Sequence, residues 1–378
     1  MERAGQPYRC PRMRASALLL SLALIAGACG GDSADPAPAT TAPPTTAVAT
    51  TGAPTTAPAT TATPTTATTP TTSPPTTAAP DPAWEALAGG PPVRRDAAMA
   101  VAPDGTVWLH GGRAGETTLG DLWRFDPKAG AWSEVIPEGD GPAARFGHDA
   151  AWDADGDRLV VTLGQRGDDF FGDAWAFDPA TSTWAQLAAN GAGPSERYGA
   201  CSAYAAAANS LIISHGFTIL GRFDDTWSLD LATGEWTDIS PDGDRPEARC
   251  LHACDLDPAT GDLVLFGGQS NNSRFLGDTW VLGAGGWVSV DDGTPGARRF
   301  PSLVAANGAL HLFGGIGEDG DVAAPFAFAG GSWERGGPDG PEPRNGHAAA
   351  AGPDGSVFVF GGETGGSARG DLWVLRNP

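Results

Sequence analysis

The sequence predicts an all-β fold, and three observations support that prediction. The 378 residues include 54 Gly and 33 Pro, so chain reversals are frequent and long helices are disfavoured. A glycine that ends an apolar run recurs six times, about 50 residues apart. The 13 Trp fall largely into two series with the same period. Four short apolar runs in each period are typical of a propeller blade, so we expect a six-bladed β-propeller of four-stranded antiparallel blades.

Residues 1–28 are typical of an export signal. Basic residues precede an apolar stretch from Ala15 to Ala28, which is shorter than the roughly 20 residues of a membrane-spanning helix. Ala26-Gly27-Ala28 comes before Cys29, and this arrangement resembles the bacterial lipobox, whose cysteine is acylated. We therefore expect a lipoprotein signal peptide at 1–28, lipidation of Cys29 and an extracytoplasmic protein anchored to the outer face of the cell membrane. The alternative is an ordinary secretory signal followed by an unrelated cysteine.

Residues 29–82 are predicted to form a disordered stalk. From Ser33 to Pro82 the segment is almost wholly Thr, Ala and Pro, so it has too little apolar surface to offset the entropy of folding. Dense proline favours extended polyproline geometry, at about 3.1 Å per residue. We expect the stalk to hold the following domain away from the membrane. A tolerated linker without a required length is the alternative.

Each unit of the repeat begins with an arginine and contains four predicted strands, a to d. Strand b ends at the repeated glycine, strand c carries a first aromatic residue and strand d carries a tryptophan. Turn segments such as Pro103-Asp104-Gly105 join strands a and b as tight hairpins. The glycines are Gly111, Gly164, Gly216, Gly267, Gly314 and Gly361. The strand c aromatics are Trp123, Trp175, Trp227, Trp280, Phe326 and Trp373, and the strand d tryptophans are Trp132, Trp184, Trp236, Trp287 and Trp333.

The sixth unit has no strand d of its own. It stops at Leu372-Trp373-Val374-Leu375 and Pro378, whereas Ala83-Trp84-Glu85-Ala86-Leu87 precedes the first arginine and has the pattern of a strand d. We therefore predict that this N-terminal strand completes the last blade. Closure of the ring in this way would remove open sheet edges.

The paired glycines, the Asp-x-Trp segments and the second tryptophan about nine residues further on resemble the kelch family of propellers over residues 83–378. The resemblance implies that the d–a and b–c connections emerge on one face and that this face binds the ligand. It places the six repeated arginines on that face: Arg94, Arg145, Arg197, Arg249, Arg298 and Arg344.

The six arginines support two interpretations. A ring of guanidinium groups around a central mouth would suit the recognition of carboxylate or phosphate groups. Alternatively, the arginines pack the blades by pairing with the aspartates of strand c, which are Asp121, Asp173, Asp225, Asp278 and Asp371. Blade 5 departs from the pattern, with Ala324 at the aspartate position and Phe326 at the tryptophan position. The remaining predicted ligand-binding residues lie in the loops and are Arg166, Asp168, Phe170, Arg222, Arg274 and Glu363.

Histidine and cysteine residues give two further predictions. His148, His252 and His347 follow their arginines by three residues in alternate blades, where they could form a three-histidine metal cage. Hydrogen-bonded core histidines are the favoured interpretation, and we predict no metal and no cofactor. Cys201 and Cys254 lie near strand a of neighbouring blades, so we predict a disulfide, although Cys250 is an alternative partner for Cys201 and three buried thiols are a further alternative.

Composition restricts the function. The formal net charge is −22, which argues against a nucleic-acid partner because phosphates would be repelled. No nucleophile–base constellation is evident, and we predict no catalytic residue. The first hypothesis is therefore a lipid-anchored monomer that binds a protein or glycan through its loop face. The alternative is a carbohydrate-active enzyme, such as one similar to a sialic-acid mutarotase or another enzyme of sugar acids.

Overall fold

The computed structural model describes residues 81–87, 89–290, 294–338 and 340–378, all within the compact unit Ala78–Pro378. Six four-stranded antiparallel sheets follow one another around a ring, as predicted for a six-bladed β-propeller. One short 3₁₀ turn, Ala206–Ala208, interrupts the β structure of the described residues. In the same part of the chain, no helix has the length and apolarity needed to cross a membrane.

In each blade, strands a to d follow one another from the central channel to the outer edge of the propeller. Blade 1 contains Ala98–Val101, Val107–Ala114, Thr117–Asp126 and Ala131–Val135. Blade 2 contains Asp149–Asp153, Arg158–Thr162, Ala174–Asp178 and Thr183–Ala188. Blade 3 contains Cys201–Ala205, Ser210–Ser214, Thr226–Asp230 and Trp236–Asp238.

The second half of the ring repeats this arrangement. Blade 4 has a strand a in two pieces, Arg249–Cys250 and Ala253–Leu256, followed by Leu263–Ser270, Phe275–Gly283 and Gly286–Ser289. Blade 5 contains Ser302–Ala306, Ala309–Phe313, Phe326–Ala329 and Ser332–Arg335. Blade 6 contains Ala348–Ala351, Val357–Phe360, Leu372–Arg376 and, as its outer strand, Ala83–Ala86.

Short two-stranded ribbons form the b–c connections of four blades. In blades 1 and 4 the b and c strands themselves continue into a longer hairpin. The ribbons are Gln165–Arg166 with Asp169–Phe170, Phe217–Thr218 with Gly221–Arg222, Ile316–Gly317 with Gly320–Asp321, and Glu363–Thr364 with Ser367–Ala368.

The core lies between neighbouring blades. Strand b is covered on both faces because its sheet packs between two other sheets, and a strand of this kind is apolar along its whole length. Val357–Phe360 is accordingly buried at every position. Strand d is more exposed, but its tryptophan turns inward, and the ring of Trp132 lies 5.5 Å from Phe360 in blade 6.

The N-terminal strand closes the ring, as the sequence predicts. Ala83–Ala86 pairs antiparallel with Leu372–Arg376, and Trp84 lies opposite Leu375. Trp84 also packs edge to face on Phe313 of blade 5, with 5.1 Å between ring centroids. This contact matches that of Trp132 on the blade before its own, so Trp84 is the strand d tryptophan of blade 6. The predictions of a signal peptide at 1–28, of Cys29 lipidation and of a stalk at 29–82 lie outside the described residues, apart from Asp81 and Pro82.

Candidate functional site on the loop face

One face of the propeller carries the d–a and b–c connections and is called the loop face below. In each blade the segment before strand a lies beside the b–c hairpin and pairs with it. In blade 4 this pairing joins Arg249 to Ser270 and Cys250 to Gln269. In the other blades it consists of single bridges, which are Arg95–Arg113, Phe146–Gln165, Tyr198–Phe217, Arg299–Ile316 and Asn345–Glu363. On the loop face, the segment before strand a is therefore held against the b–c hairpin of its own blade.

Five of the six repeated arginines are held by aspartates of their own blades. Their side chains are 0–4% exposed, and each forms a two-point ion pair. The Nη1–Oδ1 distances are 2.5–2.9 Å and the Nη2–Oδ2 distances are 2.7–3.2 Å. The pairs are Arg94–Asp121, Arg145–Asp173, Arg197–Asp225, Arg249–Asp278 and Arg344–Asp371. This geometry favours the packing interpretation of these five arginines.

The strand c tryptophan of the same five blades adds a third hydrogen bond to each aspartate. In blade 1 the Nε1–H of Trp123 donates to Asp121 over 2.6 Å. Burial alone would raise the pKa of Asp121, but the hydrogen bonds from Arg94 and Trp123 outweigh burial and lower that pKa below its usual value. The same balance lowers the pKa of Asp225, Asp278 and Asp371. These carboxylates are therefore ionised at neutral pH.

The backbone of each repeated arginine connects its blade to the preceding one. A glycine amide in every b–c hairpin donates to an arginine carbonyl of the next blade over 2.8–3.0 Å. At Gly268 the φ angle is +102° and an added Cβ would lie 2.7 Å from the carbonyl oxygen of Cys250, so only glycine fits. The six bonds are Gly112–Arg145, Gly164–Arg197, Gly216–Arg249, Gly268–Arg298, Gly315–Arg344 and Gly362–Arg94. The last bond joins blade 6 to blade 1.

A central mouth opens where the six turns before strand a meet. The residue two positions after each arginine has a positive φ angle and lines a cavity of about 210 Å³. Glycine occupies this position in three blades, but Asp96, Leu251 and Phe300 occupy it in the others, with φ of 56–59°. Non-glycine residues in this conformation store strain and cluster at functional sites. Sequence reasoning missed these three residues, although their departure from an Arg-x-Gly pattern is visible in the sequence.

Asp149 lies below this mouth, in strand a of blade 2, and also lines the cavity. Burial raises the pKa of Asp149 to about 7, although a hydrogen bond from Ser202 acts in the opposite direction. Within the described residues its Oδ2 atom has no hydrogen-bond partner. Asp149 is therefore a carboxyl group that can gain or lose a proton near neutral pH. It was not among the residues predicted from the sequence.

The three predicted histidines line the same cavity but their rings turn toward neighbouring blades. His148 Nε2 lies 2.9 Å from His110 Nδ1, and His347 Nε2 lies 2.7 Å from Ser302 Oγ. His252 packs edge to face on His215, with 5.5 Å between ring centroids. No group of three potential metal ligands occurs within the described residues. The histidines thus belong to inter-blade contacts and do not form a three-histidine cage.

The predicted loop residues are spread over several hairpins. Arg166 is half exposed and pairs with Asp169 over 3.4 Å, while Asp168 is exposed beside it. Phe170 packs on Phe217 of blade 3, with 6.0 Å between ring centroids. The structure thus brings the hairpins of blades 2 and 3 together through their aromatic residues.

The other three predicted loop residues form contacts within the chain. Arg222 donates to Cys250 Sγ over 3.2 Å and to Gln269 Oε1 over 3.1 Å. Arg274 pairs with Glu247, and Glu363 accepts from Arg95 over 3.1 Å. Arg222 and Glu363 thus connect neighbouring blades on the loop face.

The hairpin of blade 3 ends in two adjacent apolar residues that sequence reasoning missed. Ile219 is 65% exposed and Leu220 is 89% exposed. The base of this hairpin is braced, because the Arg222 guanidinium lies 5.4 Å from the Phe217 ring centroid. The apolar tip therefore projects from a fixed support on the loop face.

Below the loop face, Cys201 and Cys254 form a disulfide between strand a of blade 3 and strand a of blade 4. Their Cα atoms are 5.6 Å apart, within the usual range for a disulfide. Cys250, the alternative partner, is buried outside this bond and accepts the hydrogen bond from Arg222. The disulfide links neighbouring blades near the channel.

These features define the class of the protein as a closed, six-bladed β-propeller with a structured loop face. A family model described as the KLHDC2/KLHL20/DRC7 Kelch-repeats domain matches residues 76–216 and 204–377. The chain therefore belongs to the Kelch-repeat family, as its sequence pattern predicts.

Curated relatives carry the same repeats within longer proteins. The chain is 27% identical over 300 residues to the serine/threonine-protein phosphatase BSL2 of Arabidopsis thaliana, covering 68% of this chain and 28% of that protein. It is 35% identical over 204 residues to acyl-CoA-binding domain-containing protein 4 of the same plant, covering 50% and 29%. It is 28% identical over 194 residues to Kelch domain-containing protein 10 of Xenopus tropicalis, covering 46% and 43%. The chain thus spans less than half the length of each of these relatives.

Proposed function

We propose that this propeller is an extracytoplasmic, lipid-anchored module that binds a protein partner through its loop face. Membership of the Kelch family supports a protein-binding role, since Kelch propellers generally bind protein partners. The observation that carries the proposal is the exposed pair Ile219 and Leu220 at the tip of the blade 3 hairpin.

The apolar tip has the properties of an interface anchor. Full burial of one aliphatic side chain contributes about 1.5–3 kcal/mol, and apolar residues form the centre of protein interfaces. The bracing of the hairpin by Phe217 and Arg222 lowers the entropy that binding would cost. An apolar contact of this kind favours a protein partner over a glycan, which is the alternative ligand.

Two observations support the proposed location. The sequence of residues 1–28 followed by Cys29 resembles a lipoprotein signal. The Cys201–Cys254 disulfide is compatible with an oxidising compartment outside the cytoplasm. Cys29→Ala should abolish the incorporation of a labelled fatty acid into the protein, and equal labelling of the variant and the wild type would contradict lipid anchoring.

A photocrosslinking residue at position 166 tests the binding proposal in cells that make the full chain. Arg166 is half exposed on the blade 2 hairpin, beside the hairpin of blade 3. We expect a specific protein adduct, and Ile219→Ser with Leu220→Ser should reduce it at least about tenfold, as for an interface hot spot. Val288→Ser is the matched control, because Val288 is 58% exposed on the outer strand of blade 4. Equal adduct yields from the hairpin variant and the control would contradict the proposal.

The buried carboxyl of Asp149 favours one second candidate, an enzyme of sugar acids. A carboxyl group with a pKa of about 7 inside a cavity is suited to general acid–base catalysis. The test is the rate of anomer exchange of sialic acid, measured by magnetisation-transfer NMR with the full chain. Acceleration that Asp149→Asn removes would support this candidate, whereas a rate equal to that of buffer would eliminate it.

A further inference from the structure

Arg298 is the one repeated arginine whose blade has no aspartate within strand c at the repeat position or directly before that strand. The corresponding position in blade 5 is Ala324, and the tryptophan that would donate to the carboxylate is replaced by Phe326. Within the described residues Arg298 forms no ion pair, although it is only 3% exposed. The other five blades show where a carboxylate lies in this arrangement.

The five complete blades place that carboxylate on the solvent side of the guanidinium. The aspartate side chains are 10–39% exposed, whereas the arginine side chains beneath them are 0–4% exposed. A carboxylate at this position is therefore reached from the loop face. Both oxygens bind the two terminal nitrogens of the arginine, which is the strongest arrangement for this pair of groups.

Arg298 keeps the backbone contact that the other five arginines make through Nη1. Its Nη1 donates to the carbonyl of Gly314 over 3.3 Å, as Nη1 of Arg344 donates to the carbonyl of Gly361. Its Nη2 donates to the carbonyl oxygen of Pro295 over 2.7 Å. Each terminal nitrogen carries two hydrogens, so one hydrogen on each is left for a further acceptor.

The unbalanced charge of Arg298 has an energetic cost. Burial lowers the pKa of Arg298 to about 10, so the group is still charged at neutral pH. A buried charge without a counter-ion is strongly destabilising. The aromatic ring of Phe326, 5.7 Å from the guanidinium carbon, compensates only in part.

We propose that Arg298 binds the carboxylate group of a ligand, in the position that strand c fills with aspartate in the other five blades. Ala324 is small and partly exposed, so it leaves that position accessible. The carboxylate could come from a free small organic acid or from an acidic side chain of a docked partner. The site rests on blade 5 alone and is independent of the blade 3 hairpin that carries the proposed function.

The primary test compares thermal unfolding of the full chain in sodium formate and in sodium chloride at equal ionic strength. Because a ligand of the native state stabilises it, we expect 100 mM formate to raise the Tm by about 3 °C. Ala324→Asp should raise the Tm in chloride and abolish the response to formate. Ser332→Asp adds the same charge on the exposed outer strand of blade 5 and should keep the response. Equal formate responses in wild type and Ala324→Asp would overturn the proposal.

A second set of ligands identifies the source of the carboxylate. Acetyl-Gly-Asp-Gly-amide presents an aspartate side chain without a terminal carboxylate, and acetyl-Gly-Asn-Gly-amide is its neutral control. Stabilisation by formate alone assigns the site to small acids, and stabilisation by the aspartyl peptide extends it to acidic side chains. Failure of both ligands would overturn the proposal.

A further control distinguishes binding of an added carboxylate from pairing of Arg298 with a carboxylate of the chain itself. Asp291 and Asp292 precede Arg298 in sequence and lie outside the described residues. Replacement of both by Asn should leave the formate response unchanged. A lower Tm in chloride together with a formate response that appears only in this double variant would show an internal partner for Arg298 and would overturn the proposal.

Discussion

At the scale of single residues, the carboxylate of Asp121 accepts hydrogen bonds from two side chains at once. Arg94 donates from both terminal nitrogens and Trp123 donates from its indole. Because the Arg94 side chain is 1% exposed, its charge depends on this one carboxylate for compensation. In five blades, the repeated Asp and Trp thus provide a hydrogen-bonded counter-ion for the buried arginine.

Asp121→Asn tests this dependence. The substitution removes the negative charge but preserves the shape of the side chain, so Arg94 remains buried without a counter-ion. We expect a loss of about 3 kcal/mol in the free energy of urea unfolding at pH 7. Glu134→Gln, on the exposed strand d of the same blade, should change it by less than about 0.5 kcal/mol. Similar values for the two variants would contradict a structural role for the pair.

At the scale of strands, the outer strand of blade 6 is the part of the chain on which closure depends. Ala83–Ala86 pairs with Leu372–Arg376, and Trp84 fills the space between blades 5 and 6. Deletion of residues 80–92 should therefore lower the Tm of the whole propeller in one cooperative transition, measured by calorimetry. Deletion of residues 40–60, in the predicted stalk, should leave the Tm unchanged. An unchanged melting curve after deletion of 80–92 would rule out closure by this strand.

The disulfide acts at the same scale by joining two neighbouring inner strands. Cys201 and Cys254 are 53 residues apart, and a crosslink that closes a loop of this length stabilises a protein by up to about 4 kcal/mol. Dithiothreitol should therefore lower the free energy of unfolding of the wild type, measured in urea. The double variant Cys201→Ala and Cys254→Ala should be insensitive to the reductant. Equal sensitivity of the two proteins would show that the effect has another origin.

At the scale of the whole molecule, buried histidines make the propeller sensitive to acid. Burial lowers the pKa of His110, His215 and His347 to about 3, and it lowers the pKa of His148 and His252 well below 6.5. Below pH 6.5 the unfolded chain binds protons that the folded chain does not, so stability falls as the pH falls. Asp149 and Asp255 act in the opposite direction, since burial raises their pKa values to about 7 and about 6.

The five histidines outnumber the two aspartates, so the net effect of acid is destabilising. We expect the free energy of urea unfolding to decrease by on the order of 5 kcal/mol between pH 7 and pH 5. His347→Asn removes one of the titrating groups and should reduce that decrease by about 2 kcal/mol. A free energy of unfolding that does not change between pH 8 and pH 5 would contradict this explanation.

The fold was predictable because each blade repeats the same local chemistry. The spacing of the arginines, glycines and tryptophans locates every blade, and Trp84 locates the closing strand. The aspartate partners of the arginines were also among the alternatives drawn from sequence. The side-chain directions were not predictable, because the position of His148 in the repeat does not reveal whether its ring faces the channel or His110.

The candidate site was only partly predictable from the sequence. Charged loop residues can be proposed as binding residues from the sequence alone. Ile219 and Leu220 can be proposed only when their exposure is known. In the sequence, Asp149 cannot be distinguished from the other acidic residues. In the structure, burial raises its pKa to about 7. Both properties depend on how blades are packed, which the pattern of one repeat does not contain.

Closure by the strand Ala83–Ala86 has a consequence for the order of biosynthetic events. Arg376 pairs with Glu85 across 291 residues of sequence, so blade 6 cannot form until the chain has been made as far as its last strand. Until then the nascent protein presents two open sheet edges, which are prone to pairing with other strands. Synthesis must therefore proceed at least through Arg376 before the ring can close.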